Sequence, residues 1–179
     1  MEKIEKIKKI FKREGLDGYI IPKNDEFFGE YIPDYNDRLN FITGYSGSYG
    51  FALILKNQNY LFVDGRYTLQ AYNQSGKFFK IITIPDKMPN DVLNSKKILI
   101  GFDPNLFTKK ALSVFFGNTK CVLKPLDKNL IDEIWIRKIN KNKSKFFIMP
   151  NRFISEKYQS KINKITRYLK RKKSDYLLI

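Results

Sequence analysis

Residues 37–67 read DRLNFITGYSGSYGFALILKNQNYLFVDGRY, and this stretch decides how the chain folds. Two apolar runs, Phe51–Leu55 and Tyr60–Val63, flank the short polar turn Asn57–Asn59, which is typical of a β-hairpin. Glycines and serines before the hairpin allow the backbone to turn tightly. The stretch therefore predicts an antiparallel strand pair that is entered through a glycine-serine turn and left through the junction Asp64-Gly65-Arg66-Tyr67.

Outward from the hairpin, apolar periodicity predicts alternating helices and strands. The first helix spans Glu2–Glu14, with isoleucines on one face and Gly15 as its stop. Further helices are predicted at Tyr67–Asn73, Thr108–Phe116, Leu130–Trp135 and Ser155–Lys172, and further strands at Tyr19–Ile21, Phe78–Ile84, Ile98–Phe102 and Cys121–Leu123, with an irregular acidic, aromatic segment at Asn24–Asn36. This order favours an α/β fold with a mixed sheet and helices on both faces.

Several residues are candidates for a binding site, and each has a structural alternative. Arg66 stands where a strand passes into a helix, and its planar guanidinium suits a peptide carboxylate or carbonyl. Asp64 is a candidate cap of that helix, and Tyr67 is either a core residue or a ligand contact. Arg38 is either a site residue or the partner of Asp34 or Asp37 in an ion pair.

The glycine-serine turn is the remaining candidate. Ser46 and Ser48 offer hydroxyl and amide groups, while Gly47 serves backbone geometry. The sequence contains no histidine, which removes the commonest general base and a common metal ligand. Asp132 and Glu133 are adjacent on a helix and point in different directions. We therefore expect no catalytic residue, no metal site and no cofactor in this chain.

The charge and cysteine content bear on partners and location. The net charge is +16, but residues 137–179 carry 14 basic and 2 acidic residues, so most of the excess lies at one end. Lysine greatly outnumbers arginine, which is not typical of a specific phosphate site, and we expect no specific nucleic-acid partner. The single cysteine, Cys121, is expected to be buried on a strand. No apolar run is long enough for a membrane span, and we expect a cytoplasmic protein without a membrane partner.

Several separate segments along the chain form recognisable motifs: Gly18-Tyr19-Ile20-Ile21-Pro22, Asn24-Asp25 with Glu30-Tyr31-Ile32, Asp37-Arg38-Leu39, residues 41–50, Val63-Asp64-Gly65-Arg66-Tyr67, Gly101-Phe102-Asp103-Pro104 and residues 129–135. In this order they resemble the N-terminal domain of long-form Xaa-Pro aminopeptidases (aminopeptidase P). Any one motif is weak evidence, whereas this many in sequence order is strong evidence. The resemblance implies a three-layer, ribonuclease-H-like motif around a five- or six-stranded sheet.

The resemblance also implies a domain organisation and a role. Residues 1–139 form the N-terminal domain, 140–153 a linker, and 154–179 the opening helix and first strand of a middle domain. The family's catalytic domain, which binds two divalent metal ions, typically Mn or Zn, has no counterpart here, and a truncated product is expected. The chain is then a dimerisation and substrate-pocket domain, inactive alone, whose partners are a second copy or the missing catalytic domain.

In such an enzyme the substrate is a peptide with proline in the second position. Arg66, Arg38, Ser46, Gly47, Ser48 and Tyr67 are the residues expected at the substrate pocket, with the Arg66 junction facing the catalytic cleft. The alternative function is a non-catalytic module that binds proteins or peptides after loss of the enzyme.

Overall fold

The computed structural model describes residues 2–93, 97–137 and 147–178. The chain divides into two compact units, residues 1–139 and 140–179. Within the described part of the first unit the helices are α1 Glu2–Glu14, α2 Arg38–Thr43, α3 Thr68–Ser75, α4 Pro89–Leu93, α5 Lys109–Phe116 and α6 Leu130–Ile134; the strands are β1 Gly18–Pro22, β2 Phe51–Leu55, β3 Asn59–Asp64, β4 Lys80–Ile84, β5 Leu99–Phe102 and β6 Val122–Pro125.

The six strands form one mixed sheet in the order β4-β3-β2-β1-β5-β6. The hairpin β2–β3 is antiparallel, as predicted, and β2 is also antiparallel to β1. The pairs β3–β4, β1–β5 and β5–β6 are parallel. Five strands therefore run in one direction and end at the same edge of the sheet, which we call the carboxyl edge. Only β2 begins there.

Alternating side chains along the strands form two apolar cores, one on each face of the sheet. Tyr19 and Ile21 of β1 lie in the core that α1 covers, whereas Ile20 lies in the opposite core with Phe116 of α5. The α/β class and the mixed sheet with helices on both faces are thus confirmed, with six strands.

The element boundaries differ from the prediction in places that have a local cause. The helix predicted from Tyr67 begins at Thr68, because Asp64 first caps a 3-10 turn at Gly65–Tyr67. Helix α2, which was not predicted, begins after Asp37, whose carboxylate accepts a hydrogen bond from the Asn40 amide. The strand predicted from Phe78 begins at Lys80. Helix α4 was also missed. Cys121, which was predicted to be buried on a strand, is instead half-buried and directly precedes β6.

An aromatic stack joins three parts of the first unit. The rings of Phe41 and Trp135 stack with centroids 4.5 Å apart. The Lys3 ammonium lies 4.0 Å from the Phe41 centroid, and the Arg137 guanidinium lies 4.8 Å from that of Trp135. Lys3 and Arg137 thus each contact one ring of the stacked pair. These contacts connect α1 and α2 to the segment after α6.

The second unit has a different character. Its described residues, 147–178, contain a 3-10 turn at Asn151–Phe153 and helix α7 at Tyr158–Lys172, close to the predicted helix. None of these residues is buried, and the apolar side chains of Ile162 and Ile165 are exposed on α7. The expected strand after the helix is not present up to residue 178. Residues 140–146 of the predicted linker lie outside the described residues, so the proposed domain limits remain predictions.

Candidate functional site

The Asp64–Arg66 pair lies at the carboxyl edge, where Asp64 is the last residue of β3. The Arg66 guanidinium donates to the Asp64 carboxylate, with Nη2 2.6 Å from Oδ2, and the Arg66 side chain is 76% exposed. The Arg66 amide also donates to Asp64 Oδ1 at 2.9 Å, which confirms Asp64 as a cap. The hydrogen bond from Arg66 holds the pKa of the Asp64 carboxyl below its usual value, and the same bond raises the pKa of Arg66. The Arg66 side of the pair is open to solvent, whereas the Asp64 side chain is 23% exposed.

Tyr67 connects this pair to the glycine-serine turn. Its ring lies 5.3 Å from the Arg66 guanidinium, and its hydroxyl is 2.7 Å from Ser48 Oγ. The buried Tyr45 ring packs edge-on against Tyr67, with the centroids 6.2 Å apart. Tyr67 is half-buried, so its ring packs inward while its hydroxyl reaches the surface.

The turn itself is shaped by Tyr45 and by helix α3. A Cβ on Gly47 would lie 2.0 Å from the Tyr45 hydroxyl oxygen, so only glycine fits beneath that side chain. Ser46 is exposed, and its Oγ accepts hydrogen bonds from the side-chain amides of Gln70 and Gln74. Gln74 Oε1 in turn accepts from the Ser46 amide at 3.0 Å. The structure therefore brings Arg66, Tyr67 and Ser48 into contact, whereas Ser46, in the same turn, is bound to helix α3.

Arg38 lies elsewhere on the same edge and is buried. Its Nε and Nη2 donate to the two oxygens of Asp132 at 2.8 and 3.0 Å, and Nη1 is 3.5 Å from Glu26 Oε2. The predicted ion pair with Asp34 or Asp37 is wrong, because Asp37 instead caps α2 and pairs with Lys23. With a side chain only 6% exposed, Arg38 joins α2 to α6 and presents little of its guanidinium to a ligand.

A second buried polar contact was not singled out in the sequence. Asn129 donates from Nδ2 to Asp103 Oδ2 at 2.9 Å, and its Oδ1 caps α6 by accepting from the Ile131 amide. Asp103 Oδ1 accepts from the Asn105 amide and so caps the 3-10 turn at Pro104–Leu106. The signal for this contact was present in Asp103-Pro104 and Asn129-Leu130, because aspartate and asparagine are preferred caps.

These buried groups border a cavity of about 620 Å³ at the β5 and β6 end of the carboxyl edge. Its walls include five carboxylates, with Arg38 and Lys128 as the cations: Glu26, Asp103, Asp127, Asp132 and Glu133. Asp132 and Glu133 point toward different partners, because Asp132 pairs with Arg38 whereas Glu133 pairs with Arg13 at 2.7 Å. No cluster of three or more His, Cys, Asp or Glu side chains within residues 2–93, 97–137 and 147–178 is arranged to hold a metal ion.

The segment after β1 is largely exposed. Asp25 is buried, and its Oδ1 accepts from the Phe27 amide at 3.1 Å. Phe27 and Tyr31 are 80% and 87% exposed, and Phe28 adopts a left-handed backbone with φ of 52°. Asp25 is thus a turn-forming residue, while the aromatic side chains beyond it face solvent. Across the described helices, none is long and apolar enough to cross a membrane.

Comparison with known proteins gives consistent matches. Residues 3–127 match the family model described as the Creatinase/Prolidase N-terminal domain. Among curated proteins, Xaa-Pro aminopeptidase app-1 of Caenorhabditis elegans is 33% identical over 75% of this chain. Xaa-Pro aminopeptidase 1 of Dictyostelium discoideum is 27% identical over 99% of it. The chain spans only 25% and 31% of the lengths of these two relatives.

Solved structures agree with this result. The X-prolyl aminopeptidase of Caenorhabditis elegans, described as a cytosolic enzyme with a di-nuclear active site, matches with a TM-score of 0.68 and 27% identity. The match covers 96% of this chain and 31% of that one. The N-terminal domain of the peptidase PepQ of Mycobacterium tuberculosis shares the fold, with a TM-score of 0.57 and 19% identity over 75% of this chain.

The residues present do not fit a di-nuclear metal centre, because the sequence has no histidine and no three or more carboxylates of the described residues are arranged to hold a metal ion. By its six-stranded mixed sheet, its ordered motifs and the match over residues 3–127, the chain belongs to the Creatinase/Prolidase N-terminal domain family.

Proposed function

We propose that this chain forms one wall of the substrate pocket of an Xaa-Pro aminopeptidase and does not catalyse peptide hydrolysis by itself. One observation carries the proposal: at the carboxyl edge the exposed Arg66 guanidinium lies near the Tyr67 ring, and the Tyr67 hydroxyl contacts Ser48 of the glycine-serine turn. Ligands of open α/β sheets bind outside the carboxyl ends of strands. A guanidinium and several hydroxyl groups at that place suit the carbonyl and carboxylate oxygens of a peptide.

The substrate would be a peptide with proline second, and the hydrolytic metal ions would come from a catalytic domain that this chain does not contain. The partner would be that domain or a second copy of this chain, and the protein would work in the cytoplasm. The Caenorhabditis elegans enzyme is described as cytosolic and as having a di-nuclear active site, which supports the proposed location and the proposed metal ions. Of the six pocket candidates, Arg66, Tyr67, Ser48 and Ser46 are retained. Gly47 is retained only for its geometry, and Arg38 is assigned to the ion pair with Asp132.

The proposal is tested in an intact Xaa-Pro aminopeptidase that carries the Asp-Gly-Arg-Tyr sequence. Replacing the arginine that aligns with Arg66 by alanine should lower kcat/KM by at least about tenfold, equivalent to about 1.4 kcal/mol of lost transition-state binding. Lysine at that position keeps the charge but loses the planar fork, so it should restore only part of the activity. Unchanged kinetics in both variants would remove this surface from the substrate pocket.

A further inference from the structure

A cleft of about 470 Å³ lies beside the Asp64–Arg66 pair at the β3 and β4 end of the carboxyl edge. Arg66 and Asp64 form its charged rim, and most of its walls are apolar: Tyr49, Ile84, Pro85, Met88, Val114 and Phe115. A volume of this size is within the range of small-ligand sites. The cleft therefore combines an apolar interior with one exposed guanidinium at its mouth.

The walls come from segments that the fold brings together. Strands β3 and β4 are parallel, and Asp64 pairs with Ile84 at their carboxyl ends. Helix α5 contributes Val114, which is 60% exposed, and Phe115, which packs against the core residue Phe51 of β2 with ring centroids 4.7 Å apart. Part of the cleft wall is therefore anchored in the core, and Val114 remains available to a ligand.

Arg66 at the charged rim can bind a carboxylate other than that of Asp64 with little loss of free energy. The Arg66 side chain is 76% exposed, and exposed ion pairs contribute little to stability because water competes for both charges. A ligand carboxylate can therefore take a place on the Arg66 guanidinium beside or instead of Asp64. A terminal carboxylate offers the two parallel oxygens that bind an arginine fork.

We propose that this cleft is a subsite for the apolar C-terminal residue of a short peptide, whose terminal carboxylate binds Arg66. The apolar side chain lies among Met88, Val114 and Ile84, and the remainder of the peptide extends along the surface of Tyr67 and Ser48. This inference rests on the proposed function, because it assigns a substrate class, short peptides with an apolar last residue, to the same pocket wall.

The experiment is an amide-shift NMR titration of the full chain with three probes: Ala-Pro-Leu, Ala-Pro-Gly and C-terminally amidated Ala-Pro-Leu. Ala-Pro-Leu should shift the amides of Met88, Val114 and Arg66 and bind at least about fivefold more tightly than either other probe. Val114→Asp should remove the preference for leucine over glycine. Val122→Asp is the matched control, since Val122 is 61% exposed but lies on β6 outside the cleft.

Arg66→Ala should remove the preference for the free carboxylate over the amide while leaving the preference for leucine. Equal binding of the leucine and glycine peptides, with shifts confined to Ser48, Arg66 and Tyr67, would overturn the subsite and leave the proposed function standing. A Val114→Asp chain that behaves like Val122→Asp would also overturn it. Absence of shifts with all three probes would overturn the subsite, whereas the kinetic test in the intact relative decides the proposed function separately.

Discussion

The Arg38 guanidinium binds both carboxylate oxygens of Asp132, which joins two motifs that are far apart in the sequence. Arg38 is buried in α2, and Asp132 lies in the first turn of α6. The ion pair therefore fixes one end of the carboxyl edge, whereas the Arg66 pair at the other end is open to solvent. Both arginines were candidates in the sequence, and their burial now separates them.

Asp132→Ala should destabilise the fold by about 3 kcal/mol, because it leaves the buried Arg38 charge without its bidentate partner and also removes the partner of Arg137. Urea unfolding followed by Trp135 fluorescence measures this loss. Glu133→Ala is the matched control on the same helix, and it should cost clearly less because Glu133 pairs with the exposed Arg13. Equal losses in the two variants would show that the Arg38 contact has no special role.

Arg66→Ala should leave the urea midpoint unchanged within the error of the measurement. The side chain is exposed, and its removal leaves Asp64 accessible to water and still able to cap the 3-10 turn. A large drop in the midpoint would identify Arg66 as a structural residue and remove it from the candidate site.

Alkaline pH should destabilise the protein through two buried tyrosines. Burial raises the pKa values of Tyr19 and Tyr45 well above the value of about 10 in an unfolded chain. A raised folded-state pKa gives a stabilising contribution that is complete below about pH 10 and is lost as the pH rises further. In an absorbance titration, the tyrosinate signal that appears together with unfolding should shrink in Tyr19→Phe and Tyr45→Phe. A signal that appears before unfolding and is unchanged in both variants would contradict this assignment.

Limited digestion with trypsin should cut first among Lys141, Lys143 and Lys145 and leave a resistant fragment that contains the six-stranded sheet. None of residues 147–178 is buried, and a helix such as α7 is marginal without an apolar partner. Mass spectrometry identifies the cleavage sites. Early cleavage within residues 51–67 would place the domain boundary elsewhere.

The purified chain should not release the first residue of Arg-Pro-Pro, with or without added Mn²⁺, Co²⁺ or Zn²⁺. It has no histidine, and its described side chains form no group suited to a metal ion. Chromatographic detection of free arginine provides the measurement, with an intact Xaa-Pro aminopeptidase as the positive control. Metal-dependent release above the blank would show that the chain has a catalytic site of its own.

Local patterns in the sequence were sufficient for the hairpin, for α1 and for the Asp64 cap, because each depends on neighbouring residues. Helix α2 was missed because it is short, and only the hydrogen bond from Asn40 to Asp37 marks where it begins. The partner of Arg38 could not be predicted, since Asp34 and Asp37 are close in sequence whereas Asp132 becomes a neighbour only after α2 and α6 pack together.

The candidate site shows the same limit. Ser46 and Ser48 were predicted together in the glycine-serine turn, but the contact of Ser48 with Tyr67 and the hydrogen bonds of Ser46 to Gln70 and Gln74 form only in the fold. The apolar cleft could not be foreseen from the sequence, because its walls come from β4, α5 and the turn before β2. These segments become neighbours only through the order of the strands in the sheet.

The central position of β1 has a consequence for synthesis on the ribosome. Gly18 pairs with Leu55 on one side and with Ile100 on the other, and all five residues of β1 are buried. Strand β2, which pairs with one side of β1, is translated early, but the other side of β1 stays unpaired until β5 has been translated. An apolar strand with an open edge attracts other chains. Slow translation between residues 56 and 98 would therefore lengthen the period in which the nascent chain needs protection by a chaperone.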